Sequence, residues 1–333
     1  MKKLMNDPST VVADALAAFA DAHSDLVRAD LAHRLCLVRE PLPPGRVALV
    51  SGGGSGHEPM HSGFVGPGML AAAVLGDVFA SPTADQVASA ASAVQAGGGV
   101  LFVVKNYTGD VLNFRLAADD AQDLGIEVAT VLVNDDIALS AAGSGPGRRG
   151  TAATLLVEKI AGAQAAAGAD LATVTETAAR VVARSRSLGV ALSSCTTPMA
   201  GRPTFDLGPD ELEFGVGIHG ERGARSQALT PAADLADQLV DLLLADLDPP
   251  AGSRLLAFTN GLGATPPSEL YVLHGEVLRC LRGRGHVVSR QLVGSYVTSL
   301  DMAGASVTLL LLDDELCTLW DAPVHTAALR WGR

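Results

Sequence analysis

The run Arg46-Val-Ala-Leu-Val50 places four apolar residues in succession and then breaks into Ser51-Gly-Gly-Gly-Ser-Gly-His57. A strand that is apolar on both of its sides must be covered on both. The same pattern returns in Val100-Leu-Phe-Val-Val104, which ends in Lys105 and the polar loop Asn106-Tyr-Thr-Gly-Asp110, and again in Glu127–Val133. A helix is expected over 8–27, where Asp7 or Ser9 can cap, and another over about 110–123. Apolar strands alternating with helices imply an α/β chain with a largely parallel sheet. In such sheets ligands sit where loops leave the carboxyl ends of the strands. Residues 51–57 and 106–110 occupy that position.

The chain has 333 residues, which fits two domains. Residues 143–150, Gly-Ser-Gly-Pro-Gly-Arg-Arg-Gly, read as a flexible connection. Ala-rich helical stretches follow over 151–167 and 170–187, and a new strand system starts at Val190. The second half repeats the alternation, with strand 213–218, helix 232–246, strand 254–259, helix 267–283 and strands 286–293 and 306–312. The expected architecture is two α/β domains, each a mostly parallel or mixed sheet covered by helices. The boundary falls near residue 186, giving domains 1–185 and 186–333, with the last residues free to pack back on the first.

A formal net charge of −12 argues against a nucleic-acid partner, because such binding rests on clustered Lys and Arg. Only four residues are Lys: Lys2, Lys3, Lys105 and Lys159. The cysteines Cys36, Cys195, Cys280 and Cys317 are too widely spaced for a zinc knot or a disulfide scaffold, so free thiols are expected. No run of about 18 apolar residues exists for a membrane span, and no signal-peptide core follows Lys2-Lys3. A soluble, cytoplasmic protein is expected.

Four glycines in the five positions 52–56 remove the Cβ atoms after a strand, where backbone N–H groups can cradle a ligand; a tight turn is the simpler alternative. No Gly-Lys-Ser/Thr follows, so this is not a Walker loop. His57-Glu-Pro-Met-His61 has the HExxH form of a zinc protease, which needs both histidines on one helix face. Pro59 and the preceding glycines keep His57 out of a helix interior, so no metal site is expected. Asp110 stands at a helix start, where capping is its ordinary role. Lys105 leaves a buried strand, a costly place for a cation without a polar partner. Together, His57, Lys105, Asp110 and the glycines form a convergent polar cluster. In Phe214-Gly-Val-Gly-Ile-His219-Gly-Glu221, glycines open the backbone around a histidine at a strand end. Its neutral ring could attack a carbonyl or bind a ligand, with Glu221 orienting it.

Seven blocks in order make the chain resemble the dihydroxyacetone kinase family: Ser51–Pro59, Phe79-Ala-Ser-Pro82, Lys105–Asp110, Gly147-Arg-Arg-Gly150, Gly217–Glu221, Asn260-Gly-Leu-Gly263 and Thr298–Met302. The resemblance implies a substrate unit of two α/β domains that holds a ketone covalently as a hemiaminal on His219. It implies His57 and Asp110 as general base, Lys105 and the Gly54-Ser55-Gly56 backbone as polar substrate contacts, and Ser81 as a further pocket position. Asp119 stands where the family has Glu, and Arg222 where Pro is common. The length matches the family's separate substrate subunit. That implies no cofactor on this chain, with ATP or ADP and Mg²⁺ on a helical nucleotide-binding partner that a phosphocarrier protein can recharge, and a homodimer. Alternatives from the same resemblance are a ketone-sensing paralogue that reports to a transcription regulator, and a kinase subunit for a four-carbon ketose such as erythrulose.

Overall fold

The computed structural model describes residues 2–139 and 147–332. The chain groups into two compact units, each assembled from separate segments. Residues 2–133, 154–181 and 318–333 form the first; residues 134–153 and 182–317 form the second.

In the first unit, helix α1 (Val11–Ala22) leads to strands β1 (Val27–Asp30), β2 (Leu35–Val38), β3 (Ala48–Ser55) and β4 (Ala72–Val78). Helix α2 (Ala84–Val94), β5 (Val100–Lys105), α3 (Thr108–Asp123) and β6 (Val128–Val133) follow, and α4 (Ala153–Ala167) and α5 (Leu171–Ala183) return to this unit. The sheet runs β1-β2-β4-β3-β5-β6. Its centre is parallel, with β3 between β4 and β5, and the β1–β2 hairpin adds an antiparallel edge. Every residue of β3 and β5 is buried, as uninterrupted apolar runs require. One face packs on Val87, Ala90, Ala91 and Val94 of α2 and on Phe114, Ala117 and Ala121 of α3. Small residues at helical spacing let these helices lie close to the strands, and Phe114 meets Phe102 edge-on at 5.4 Å. Lys159 ties residues 318–333 to α4, with Nζ donating to the Leu319 carbonyl at 3.0 Å beneath the Trp331 ring.

The glycine run is not a loop. Residues 52–54 continue β3, and the chain turns only at Gly56, because pairing with β4 extends the strand beyond its last pair with β5 at Ser51. The first helix is shorter than expected, since residues 27–30 pair with β2.

The second unit contains β7 (Ser185–Ala191), β8 (Glu211–Phe214), β9 (Arg225–Ala228), α6 (Ala232–Leu247), β10 (Arg254–Gly261), α7 (Pro267–Gly283), β11 (Val287–Gly294) and β12 (Gly304–Leu312). Its sheet runs β11-β10-β12-β7-β8-β9, and only β10 and β11 are parallel. The sheets are thus mixed, covered by helices as expected. Leu235, Leu239 and Leu243 of α6 and Leu270, Val277 and Leu281 of α7 cover the second sheet. The helix expected to reach residue 187 stops at 183, because Ser185–Leu188 are taken up by β12. The strand expected over 213–218 ends at Phe214, leaving 215–220 as irregular backbone.

Of the flexible connection expected over 143–150, residues 143–146 lie outside the described residues. Arg149, expected there, is buried. Residues 134–139 group with the second unit because Asp136 bridges to Ser187, whose N–H donates to the Asp135 carbonyl at 2.8 Å. Cys36, Cys195, Cys280 and Cys317 are buried free thiols. Among the described residues no helix is long and apolar enough to cross a membrane.

Candidate functional site

Parallel register aligns Ser51 of β3 with Val103 of β5, so two residues further on Gly53 stands level with Lys105. Lys105 is wholly buried. Its Nζ donates to the Gly52 carbonyl at 2.8 Å and contacts His61 Nε2 at 2.7 Å; Asp110 Oδ2 lies 3.9 Å away. A Cβ on Gly53 would fall 2.5 Å from Lys105 Nζ, and the φ of +151° is one that side-chain-bearing residues rarely adopt. Glycine at 53 makes room for the ammonium. At Gly54 a Cβ would lie 2.7 Å from the Ala80 amide, so this glycine admits the loop that carries Ser81.

Asp110 does not cap its helix. The N-cap is Tyr107, and Asp110 lies in the first turn of α3, buried, with Oδ1 lacking a hydrogen-bond partner. The positive end of the helix dipole favours a carboxylate there. Ser81 Oγ lies against Gly109, where a Cβ would come within 2.6 Å, and Asn113 Nδ2 donates to the Pro82 carbonyl at 2.7 Å. The Phe79–Pro82 loop is thereby fastened to the start of α3. His57 is buried and stacks on Phe79, with ring centroids 5.2 Å apart. Of the expected backbone cradle, the Gly56 N–H donates to Glu58 Oε1 at 3.0 Å, and the Ser55 hydroxyl donates to the Gly76 carbonyl at 2.7 Å.

The second histidine of the His57–His61 segment is not on a helix. His61 follows a turn, and its two ring nitrogens face Lys105 and Glu158 Oε1, the latter at 2.6 Å. Glu158 projects from α4 and is wholly buried. Burial pushes it up to about 8, against the pull of the Lys105 charge. Burial likewise lowers Lys105, opposed by Asp110 and Glu158. Sequence reasoning missed Glu158 entirely. It sits in an Ala-rich helix, and nothing in its spacing separates an inward-facing glutamate from a solvated one.

His219 lies in the second unit, on the irregular segment after β8, and is half-buried. Glu221 holds its backbone: the His219 N–H donates to Glu221 Oε2 at 2.8 Å. Glu221 Oε1 accepts from Arg149 at 2.9 Å, and Arg149 also donates to Asp136 Oδ2 at 2.7 Å and to the Gly215 carbonyl at 2.8 Å. One buried guanidinium therefore grips both ends of the segment that presents His219. A Cβ on Gly217 would lie 1.9 Å from Glu221 Oε1, which explains that glycine. Arg222 lies over the Phe205 ring, 5.5 Å from its centroid. Asp119 is exposed on α3. The Asn260 side chain accepts from the Tyr296 and Val297 amides, both at 2.9 Å, so that block braces the loop after β11.

The Dak1 domain family matches residues 17–328, nearly the whole of both units. The chain belongs to that family. It is 48% identical over 329 residues to the dihydroxyacetone-binding subunit DhaK of PTS-dependent dihydroxyacetone kinase 1 from Listeria innocua, covering 98% of this chain and all of that one. It is 44% identical over 333 residues to D-erythrulose kinase of Mycolicibacterium smegmatis, of which it spans 57%. Among solved structures, the dihydroxyacetone kinase operon co-activator DhaQ superposes with a TM-score of 0.90 at 33% identity, covering 95% of this chain and 97% of that one. All seven motif blocks lie within the matched residues, and the mixed two-sheet architecture is shared with solved relatives.

Proposed function

We propose that this Dak1 chain is the substrate-binding subunit of a dihydroxyacetone kinase, holding the ketone as a hemiaminal on His219. A neutral ring nitrogen adds to the ketone carbon, the carbonyl oxygen takes up a proton, and the ring gives up its N–H proton, so the adduct is neutral. Only a carbonyl compound can form this bond, which rejects glycerol despite its similar hydroxyls. His57 and Asp110 serve as the base that takes the proton of the hydroxyl as it is phosphorylated, and Lys105 with the 54–56 backbone and Ser81 provides the polar surroundings. Nucleotide and Mg²⁺ bound on a separate helical partner supply the phosphoryl group. This chain contributes the ketone, its orientation and the proton acceptor, so turnover requires that partner.

The observation that carries this reading is Asp110 Oδ1, a buried carboxylate oxygen with no hydrogen-bond partner beside a buried ammonium. Such an atom is costly unless a ligand hydroxyl completes it. The 48% identity with a kinase subunit favours turnover over the ketone-sensing role, which rests on the 33% identical co-activator.

Native mass spectrometry tests it. Incubation with dihydroxyacetone should add one substrate mass that survives gentle activation, and His219→Ala should lose it. Erythrulose, run in parallel, reads whether a four-carbon ketose is accepted. A wild-type protein that binds either ketone without a covalent adduct would overturn the hemiaminal.

A further inference from the structure

His219 stands beyond Phe214, the last ladder residue of β8, on irregular backbone, so strand pairing does not set its place. Alternate residues of that segment converge instead on one ion pair. Arg149 Nη2 donates to the Gly215 carbonyl at 2.8 Å, Arg149 Nη1 donates to Glu221 Oε1 at 2.9 Å, and Glu221 Oε2 accepts the His219 N–H at 2.8 Å. Gly217 lies against the pair, since a Cβ there would meet Glu221 Oε1 at 1.9 Å and Arg149 Nη1 at 2.7 Å. The pair is anchored from behind. Arg149 Nε donates to Asp136 Oδ2 at 2.7 Å, and Asp136, itself buried, bridges to Ser187 of β7. We propose that Arg149 is a positioning residue for His219, acting through the Glu221 carboxylate, and that this strut sets how readily the ring adds to a ketone. The proposal rests on the hemiaminal reading given above.

The chemistry of the two side chains carries it. A carboxylate accepts at both oxygens, and here each oxygen serves one link, Oε1 to Arg149 and Oε2 to the histidine backbone. A guanidinium donates in several directions from one rigid plane, so Arg149 holds Asp136, Gly215 and Glu221 at once. A lysine ammonium donates from a single point and cannot reproduce that fork. Asp136 supplies the buried charge that Arg149 needs, so the guanidinium stays fixed while Glu221, partly exposed, is held from one side only. The line of force therefore runs from β7 through Asp136, Arg149 and Glu221 to the His219 amide. A nucleophile gains rate and affinity from being held in its attacking position, and a displacement of about 1 Å can cost 10²-fold.

Variants of the full chain test this without the kinase reaction. Dihydroxyacetone labelled with ¹³C at its carbonyl carbon separates the two bound forms, because addition turns a trigonal carbon tetrahedral. Glu221→Gln keeps the size of the side chain, but an amide accepts at one oxygen only, so one link is lost whichever way it turns. Gly217→Ala leaves every charge in place and pushes the pair off the segment. Arg149→Lys keeps the charge opposite Asp136 and loses the fork. Each should lower the ratio of hemiaminal to non-covalently bound ketone by roughly tenfold, the worth of one bond to a charged group. A variant that merely unfolds loses both bound forms together and leaves the ratio alone. In ketone-free wild type the His219 amide should be protected from hydrogen exchange, a result independent of any variant's folding. A hemiaminal ratio unchanged in Glu221→Gln and Gly217→Ala, or a His219 amide that exchanges as freely as an exposed one, would overturn the proposal. A wild-type protein with no hemiaminal signal would instead remove the proposed function, and the amide exchange would still read the strut.

Discussion

At the residue scale the first unit concentrates ionisable groups where the chain can least hydrate them. Asp110 and Lys105 were legible in the sequence, one because it closes a polar loop at a helix start and the other because a lysine ends an apolar strand. The residues that support the site were not. His61, in contact with Lys105, was hidden in a metal-protease pattern that Pro59 disqualifies, and Arg149, which holds the segment carrying His219, sat in a stretch that reads as linker. Burial and contact, which no local pattern encodes, turn these residues into the supports of the site. The base assignment has a direct kinetic consequence, since a positioned base contributes roughly 10²–10⁴-fold. With the partner subunit present, His57→Asn and Asp110→Asn should each lower kcat by about that range while the ketone adduct on His219 persists. Steady-state rates and the adduct mass, taken on the same samples, check both halves. A variant that turns over at the wild-type rate is a pocket wall, not a base.

At the scale of elements the strand–helix alternation was read well wherever strands are apolar throughout: β5 and α7 match their expected limits. It failed where an edge or a neighbour decides. Ser185–Leu188 continue a good helical pattern yet pair with β12, and the β1–β2 hairpin has no strong turn signal. The glycines of β3 misled for a different reason, since a residue without a side chain looks the same in a loop and in a strand that must admit a neighbour. That distinction can be measured. Gly53→Ala meets both an unfavourable φ and the Lys105 ammonium at 2.5 Å, whereas Gly97→Ala meets a φ of +87° and open space. Backbone strain of this kind costs roughly 1–3 kcal/mol. Both variants should lower the unfolding free energy, Gly53→Ala by the larger amount, and only Gly53→Ala should disturb the Lys105 titration. Denaturant unfolding of the pair, giving equal losses, would refute the space-making role of Gly53.

At the scale of the whole molecule each unit is closed by chain that is distant in sequence. Lys159 on α4 is the clearest fastening, bonded to the Leu319 carbonyl beneath Trp331. Burial pushes it down to about 8 from an ordinary 10.5, against the pull of Asp321. Between those two values the unfolded chain holds a proton that the folded chain lacks, so this lysine makes stability rise with pH across that window. A drop of that size corresponds to about 3 kcal/mol. Unfolding free energies measured from pH 8 to 10.5 should therefore climb more steeply for wild type than for Lys159→Met; parallel curves would show that the amine titrates as it does in water.

The segmental make-up of the first unit also bears on how the protein comes into being. Its sheet is complete by residue 133, but the strip that seals α4 lies beyond residue 317, on the far side of nearly all of the second unit. During synthesis the sheet waits with part of its apolar cover missing while some 180 further residues emerge from the ribosome. The half that is translated first is the half that closes last.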